Sequence, residues 1–381
     1  MRRALLIAAL AAAALPAVAR ADRPGPDHQF PVVREGDPTL PDHTIIRPAN
    51  VDAVPFKMPI VVWGNGGCRD SNEEFHYFLT HFAAYGYYVI ANGPPGNPYH
   101  PEELGGLVNP QPQKLVTAID WALTRSPFRD HLDTSRIVVM GQSCGGWEAT
   151  DASADPRVAT TIIWDSGDNP YHPQGVAALH APVLYAYGGP SDYALAFPLA
   201  SYQATSVPAV LASHSQAGHT GMWDDPSDGS PPPGPYQNEP LVFAPHWLSF
   251  ILYGEAADRD YFLGASCGLC QRPNWTVQSK NWDGYTSSPG EAPPMSSAAA
   301  SAPAPAATLC RSRRTVTVHL RGAMRRAVVY ADGRRVGRLR RGQGARLRFG
   351  GHAGGRVVVR LVGRDRRGRR IIDVRRYRLC A

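Results

Sequence analysis

The residues best placed to do chemistry lie at 141–145, Gly-Gln-Ser-Cys-Gly. They follow Ile137-Val138-Val139-Met140, an apolar and β-branched run that predicts a buried strand. Gly146 and a helix-compatible run come after them. In a strand–turn–helix setting, G-x-S-x-G holds its serine on a sharp, strained turn. The neighbours at −2 and +2 must be small for strand and helix to approach. Ser143 then sits at a helix N-terminus, where free N–H groups and the helix dipole favour negative charge. That arrangement suits nucleophilic attack on an acyl carbon. Such attack needs a base for the hydroxyl proton, an acid to orient the base, and N–H donors for the oxyanion. Outside this setting the same five residues make a glycine-rich turn with a solvated serine.

Other elements must position those groups. Pro59–Trp63 is a continuous apolar run, the pattern of a strand buried on both faces, and it ends in Gly64-Asn65-Gly66-Gly67-Cys68. Asn72 is placed to cap a helix over 73–85, with Phe75, Phe78, Leu79 and Phe82 at helical spacing and Gly86 as its stop. Tyr87–Ala91 predicts the next strand, and 92–112 a long Pro/Gly loop. Lys114–Thr124 predicts a helix with Leu115, Ala118, Ile119 and Ala122 on one face. Beyond the Ser143 turn and its helix, strands are expected at 158–164, 182–187 and 207–212, and a closing helix at 240–253. Edge strands are expected within 22–58, around Thr44-Ile45-Ile46. The alternation predicts an α/β fold, a mostly parallel sheet with helices on both faces. Asp165 ends one of its strands, and Asp192 follows the next in Gly188-Gly189-Pro190-Ser191-Asp192. His214 and His219 follow the last.

On these motifs and their order, residues 55–255 resemble a secreted α/β-hydrolase of the esterase, dienelactone-hydrolase and polyester-hydrolase kind. The resemblance implies the α/β-hydrolase fold and the chain order Ser…Asp…His. Ser143 is then the nucleophile, and His219 the base in preference to His214. Asp192 occupies the usual acid position, and Asp165 a position that some relatives use. The unused aspartate would cap a helix or form a turn. The resemblance also implies an oxyanion hole built from the backbone N–H groups of Cys144 and Gly67. Asn65-Gly66 stands where many relatives have His-Gly. In such a fold the turns carrying Cys68 and Cys144 lie side by side, which suits a disulfide that fixes the two donors; two buried free thiols are the alternative. Some of Trp63, Tyr99, Trp147, Trp164 and Trp223 are expected to line an acyl or aromatic pocket, and the rest the core. The 13 His show no metal-ligand spacing, and no phosphate loop is present. Ser-His-Asp chemistry needs no cofactor.

At 381 residues the chain exceeds one ordinary domain. Arg2 and Arg3 precede the apolar run Ala4–Leu15, and A-x-A sites follow it. That pattern predicts a signal peptide over 1–21 and export to a disulfide-permissive compartment, with no transmembrane segment. The net charge of +7 is unevenly spread: 310–381 carry 23 Arg against three acids, a net +20, which leaves −13 elsewhere. A catalytic domain is expected over 22–273, a Pro/Ala/Ser-rich linker over 274–309, and a small basic all-β, sandwich-like domain over 310–381. All six cysteines can pair, the others as Cys267–Cys270 and Cys310–Cys380. The expected function is hydrolysis of a small or polymeric ester, with a peptidase or a non-catalytic binding protein as alternatives. The basic domain suits an anionic cell-envelope polymer; a merely solvated Arg-rich surface is its alternative.

Overall fold

The structure, a computed structural model, describes residues 22–98, 110–223, 234–285, 315–320, 326–331, 334–340, 344–348, 355–364 and 370–379. The expected signal peptide, Tyr99 and the Cys310–Cys380 pair lie outside these residues. The chain divides into two compact units, 1–295 and 296–381.

The first unit is built on nine strands: β1 (Val32–Asp37), β2 (Leu40–Pro48), β3 (Met58–Gly64), β4 (Tyr88–Asn92), β5 (Leu132–Gln142), β6 (Val158–Trp164), β7 (Val183–Tyr187), β8 (Ala209–His214) and β9 (Trp275–Lys280). They form one sheet in the order β1-β2-β4-β3-β5-β6-β7-β8-β9. The pairs from β4 through β3 to β8 are parallel, whereas β1, β2 and β9 join antiparallel. The apolar runs behave as their composition dictates: Ile60, Val61, Val62 and Trp63 are at most 1% exposed, so β3 is covered on both faces. Val61, Trp63, Val138 and Met140 pack with Phe78 and Phe82 of α1 (His76–Ala84) and with Phe243 and Trp247 of α5 (Glu239–Tyr253). Their strand neighbours Ile60, Val62, Ile137 and Val139 point the other way, onto α2 (Pro112–Thr124) and α3 (Cys144–Ala152). A third cluster joins Val183, Tyr185 and Leu211 to Tyr202 of α4 (Ala196–Ala204). A short α6 (Ala256–Arg259) follows α5.

Two local expectations change. Asn72 does not cap α1; a 3₁₀ turn over Glu73–Phe75 leads into that helix. The buried Asn72 amide instead donates to Thr44 Oγ1 and to the carbonyls of Asn92 and Gly93. Those carbonyls lie at the end of β4, and the amide gives them partners that the sheet does not. The second change concerns β9, which falls inside the range expected as linker. Trp275 is buried against His214 and Phe243, and its indole donates to Glu239. The packing of the first unit therefore runs at least to Tyr285, whose ring packs on Trp282 and Phe250.

The second unit holds β10 (Thr315–His319), β11 (Arg326–Ala331), β12 (Arg334–Arg340), β13 (Gly344–Arg348), β14 (Gly355–Arg364) and β15 (Arg370–Leu379). β10 pairs with β13, and the order β12-β11-β14-β15 makes a four-stranded sheet, all antiparallel. Among the described residues, no helix is long and apolar enough to cross a membrane.

Candidate active site

Four turns meet at the C-terminal ends of β3, β5, β7 and β8, beside the point where the strand order reverses. This is where open α/β sheets hold their ligands. Ser143 joins β5 to α3 with φ 53° and ψ −119°, a conformation that residues with a Cβ rarely adopt. Its N–H donates to Trp164 O at 2.9 Å, and its carbonyl accepts from Ser166 Oγ at 2.6 Å. The glycines on either side are obligatory. A Cβ at Gly141 would strike the backbone of Gly145, and one at Gly145 would strike the backbone of Gly64. Strand β3, the turn and α3 thus touch backbone to backbone, and strain at Ser143 is held by its surroundings.

Gly67 lies in the turn after β3, with φ 65°. Cys144 is the first residue of α3, so its N–H has no intrahelical acceptor. Among the described residues neither N–H donates a backbone hydrogen bond, and both residues line the cavity that Ser143 faces. A disulfide joins Cys68 to Cys144, with the Cα atoms 5.2 Å apart. Cys267 and Cys270 form a second, local disulfide. Asn65, in the place of the more usual histidine, braces the turn: its amide donates to Arg69 O at 3.0 Å and to Asn92 O at 2.7 Å.

His219 and Asp192 come from the loops after β8 and β7. Gly218 donates to Gly188 O at 2.9 Å, and a Cβ at Gly188 would collide with Gly218, so the two loops are in close contact. His219 Nδ1 lies 2.7 Å from Asp192 Oδ1, which also accepts from Ala194 N–H at 2.8 Å. His219 Nε2 is buried, lines the same cavity as Ser143, and has no hydrogen-bond partner among the described residues. Burial alone would raise the pKa of Asp192. The hydrogen bond and charge of His219 outweigh it and hold the carboxyl below its ordinary value.

Asp165, the other acid candidate, is buried and also lines the cavity. Its oxygens accept from Gly188 N–H and Trp223 Nε1, each at 2.9 Å, and from Gln142 Nε2 at 3.4 Å. Burial, with the nearby charge of Asp192, pushes its carboxyl well above the usual range. His214 is brought elsewhere. It is buried between Tyr236 and Trp275, and burial lowers its pKa.

The cavity over Ser143 measures about 270 Å³. Trp147, Phe197 and Ala194 line it, together with the Arg69–Glu74 ion pair at 2.7 Å. Of the aromatics singled out in the sequence, Trp147 lines the cavity. Trp63, Trp164 and Trp223 are buried in the core, where Trp223 meets Trp63 at a tilt and Trp164 edge-on and donates to Asp165. The sequence reading passed over Tyr193, Phe197, Arg69 and Glu74. Tyr193 lies next to Asp192, and that adjacency was the one available signal. Its ring sits 4.0 Å from the His219 ring yet is 81% exposed. Tyr171, 62% exposed, meets Trp147 edge-on at 6.0 Å.

No protein-family model matches the chain. An alpha/beta hydrolase of Aspergillus fumigatus, psoB, is 33% identical over 147 residues, covering 34% of this chain and 30% of that protein. The hydrolase ORFZ of Pyricularia oryzae is 34% identical over 136 residues, with 34% and 31% covered. The alpha/beta hydrolase pydG of an Acremonium species is 31% identical over 133 residues, with 33% and 30% covered. The chain thus spans just under a third of the length of the curated relatives it matches. That partial similarity, joined to a mostly parallel sheet flanked by helices, supports the α/β-hydrolase superfamily for this chain.

Proposed function

We propose that this protein is an exported serine hydrolase that cleaves carboxylic esters through an acyl-enzyme. The observation that carries the reading is a single cavity faced by Ser143 on its strained turn and by the free Nε2 of an imidazole held by Asp192. In this reading His219 Nε2 removes the Ser143 Oγ proton as Oγ attacks the acyl carbon. The N–H groups of Gly67 and Cys144 receive the oxyanion, and His219 returns the proton to the departing alcohol oxygen. Water then repeats the sequence to release the acid. Nε2 makes no hydrogen bond among the described residues, and catalytic hydrogen bonds of this kind tighten when substrate binds. The cavity volume favours a short acyl chain or a single ring. The exposed rings of Tyr193 and Tyr171 favour a flat or aromatic ester lying across the rim. Two disulfides are in keeping with export.

The test is hydrolysis of a p-nitrophenyl ester series by the protein and by Ser143→Ala. Acetate and butyrate should be cleaved faster than long-chain esters, and Ser143→Ala should fall to near background with an unchanged fold. Full activity in Ser143→Ala would refute the reading.

A specific feature of the second unit favours an additional role. Register places Ala327, Val329, Leu339, Val359 and Leu361 on one face of the four-stranded sheet, where they are buried. The opposite rows pair Arg326 with Arg340 and Arg364, Arg356 with Arg378, and Arg364 with Arg370. We infer that this arginine-rich face binds an anionic cell-envelope polymer. Retention of the full chain on envelope polymer, released by salt and lost in a chain ending at Tyr285, is the expected result. Equal retention of both would overturn it.

A further inference from the structure

Asp165 is a buried carboxyl that the mechanism above leaves without a task. We propose that Asp165 is a positioning residue that keeps its proton and donates it to Asp192 Oδ2, so that two carboxyls share one negative charge behind His219. The inference rests on the hydrolase reading, because it concerns the acid of that triad.

The geometry carries it in three steps. First, Asp192 Oδ1 has two donors, His219 Nδ1 and Ala194 N–H, whereas Oδ2 is buried and has none. A buried carboxylate oxygen without a donor is costly, so the site is short of one proton donor on that side. Second, Asp165 is close enough to be that donor. Oxygens of Asp165 and Asp192 and a ring nitrogen of His219 all lie within 4.8 Å of one another. Third, the hydrogen bonds that Asp165 accepts come from the neutral N–H groups of Gly188, Trp223 and Gln142. Two fully buried carboxylates so close cannot both stay ionised, and one of them keeps a proton. His219 holds Asp192 in the charged form, so the proton belongs to Asp165. The directions of both pKa shifts agree with this division. A metal ion is a poor rival for the same three side chains, since His219 Nδ1 and Asp192 Oδ1 already engage each other at 2.7 Å.

The consequence concerns how the imidazole is held. A proton on Asp165 fixes the Asp192 carboxylate in rotation without adding a second charge. A second charge would bind the imidazolium too tightly and keep His219 from acting as a base at neutral pH. The titratable and charged groups around Asp165 are Asp192 and Tyr193 after β7, His219 after β8, and the Arg69–Glu74 pair after β3, which lines the same cavity. Gln142 and Trp223, the other side chains on it, do not titrate.

Two measurements on the full chain test the proposal. In infrared spectra at neutral pH a protonated-carboxyl C=O stretch should be present in Glu148→Gln, which lacks the other carboxyl that burial keeps part-protonated, and should disappear when Asp165→Asn is added to it. This readout needs no catalysis, so it stands whether or not the ester assignment holds. In the pH profile of kcat/KM, Asp165→Asn should keep the wild-type acid limb, because an amide can donate to Asp192 Oδ2 and the charge behind His219 is unchanged. Asp165→Ala should lower kcat roughly tenfold or more while leaving KM nearly constant, since the donor is gone. Absence of the carboxyl band would overturn the proposal. So would an acid limb displaced downward by roughly 1–3 units in Asp165→Asn, the mark of an ionised Asp165 in the parent.

Discussion

Ser143 is held in its unfavourable backbone conformation by glycines whose hydrogens are the contact surface between three elements. Gly145→Ala should therefore destabilise the unit by about 1–3 kcal/mol or more, the usual cost of overpacking, read as a lower denaturant midpoint. An unchanged midpoint would mean that the turn has slack. At the same scale, His219→Ala and Asp192→Asn should each cut kcat by roughly three orders of magnitude or more with KM little changed. Asp192→Asn leaves the imidazole in the wrong tautomer, whereas Asp165→Asn should be mild. The reverse order of severity would give the triad acid to β6. Residue types and spacing made Ser143, His219 and the pair Asp165/Asp192 legible as candidates. They could not divide roles between the aspartates, because both end consecutive strands. Only packing shows that Asp192 meets His219 while Asp165 takes its hydrogen bonds from Gly188, Trp223 and Gln142.

At the scale of elements, the site depends on how α3 is pinned to the turn after β3. The Cys68–Cys144 disulfide closes a sequence separation of 76 residues, worth about 4 kcal/mol in the chain-entropy model. Replacing both cysteines by alanine should lower stability by about 2–4 kcal/mol and lower kcat more than it changes KM, because the two N–H donors lose their fixed separation. An unchanged kcat would show that the turn holds itself. Glu148 on α3 accepts from Gln111 N–H at 2.7 Å and Asn92 Nδ2 at 3.1 Å, which ties the start of α2 and the end of β4 to that helix. Burial pushes its pKa from 4.5 up to about 7. The folded state thus holds this proton more tightly than the unfolded chain. Its contribution to stability is complete below about pH 4.5 and is lost as pH rises through about 7, a change on the order of 3 kcal/mol. Glu148→Gln carries no charge, so its stability should fall less than the parent's between pH 4.5 and 8 in denaturant titrations; identical pH dependence would contradict this. The elements themselves were largely legible, since strands buried on both faces read as unbroken apolar runs. β9 was not, because Trp275–Lys280 alternates a few apolar residues with Thr276, Gln278 and Ser279 and directly follows a cysteine loop. Asn72 misled for a related reason: a capping residue type is also a good internal brace, and sequence does not show which carbonyls lie nearby.

For the whole molecule, the two units differ in charge and composition, an acidic α/β body and an arginine-rich β module. A chain ending at Tyr285 should keep its full rate on a soluble ester, because the described site residues all belong to the first unit. A chain ending at Pro273 should be less stable by several °C in Tm, since it lacks the edge strand β9 and the burial of Trp275. Equal stability of the two would mean that β9 adds nothing to the sheet. The charge asymmetry made the second unit legible as separate. The position of the boundary was not, because a polar edge strand and a linker have similar compositions.

The central claim is that Ser143 is the nucleophile, and covalent labelling tests it most directly. A fluorophosphonate probe reacted with the folded full chain, followed by digestion and peptide mass mapping, should modify the peptide containing Ser143 and no other. Labelling should be abolished by Ser143→Ala and strongly slowed by His219→Ala. Modification of a different serine, or undiminished labelling of Ser143→Ala, would contradict the account.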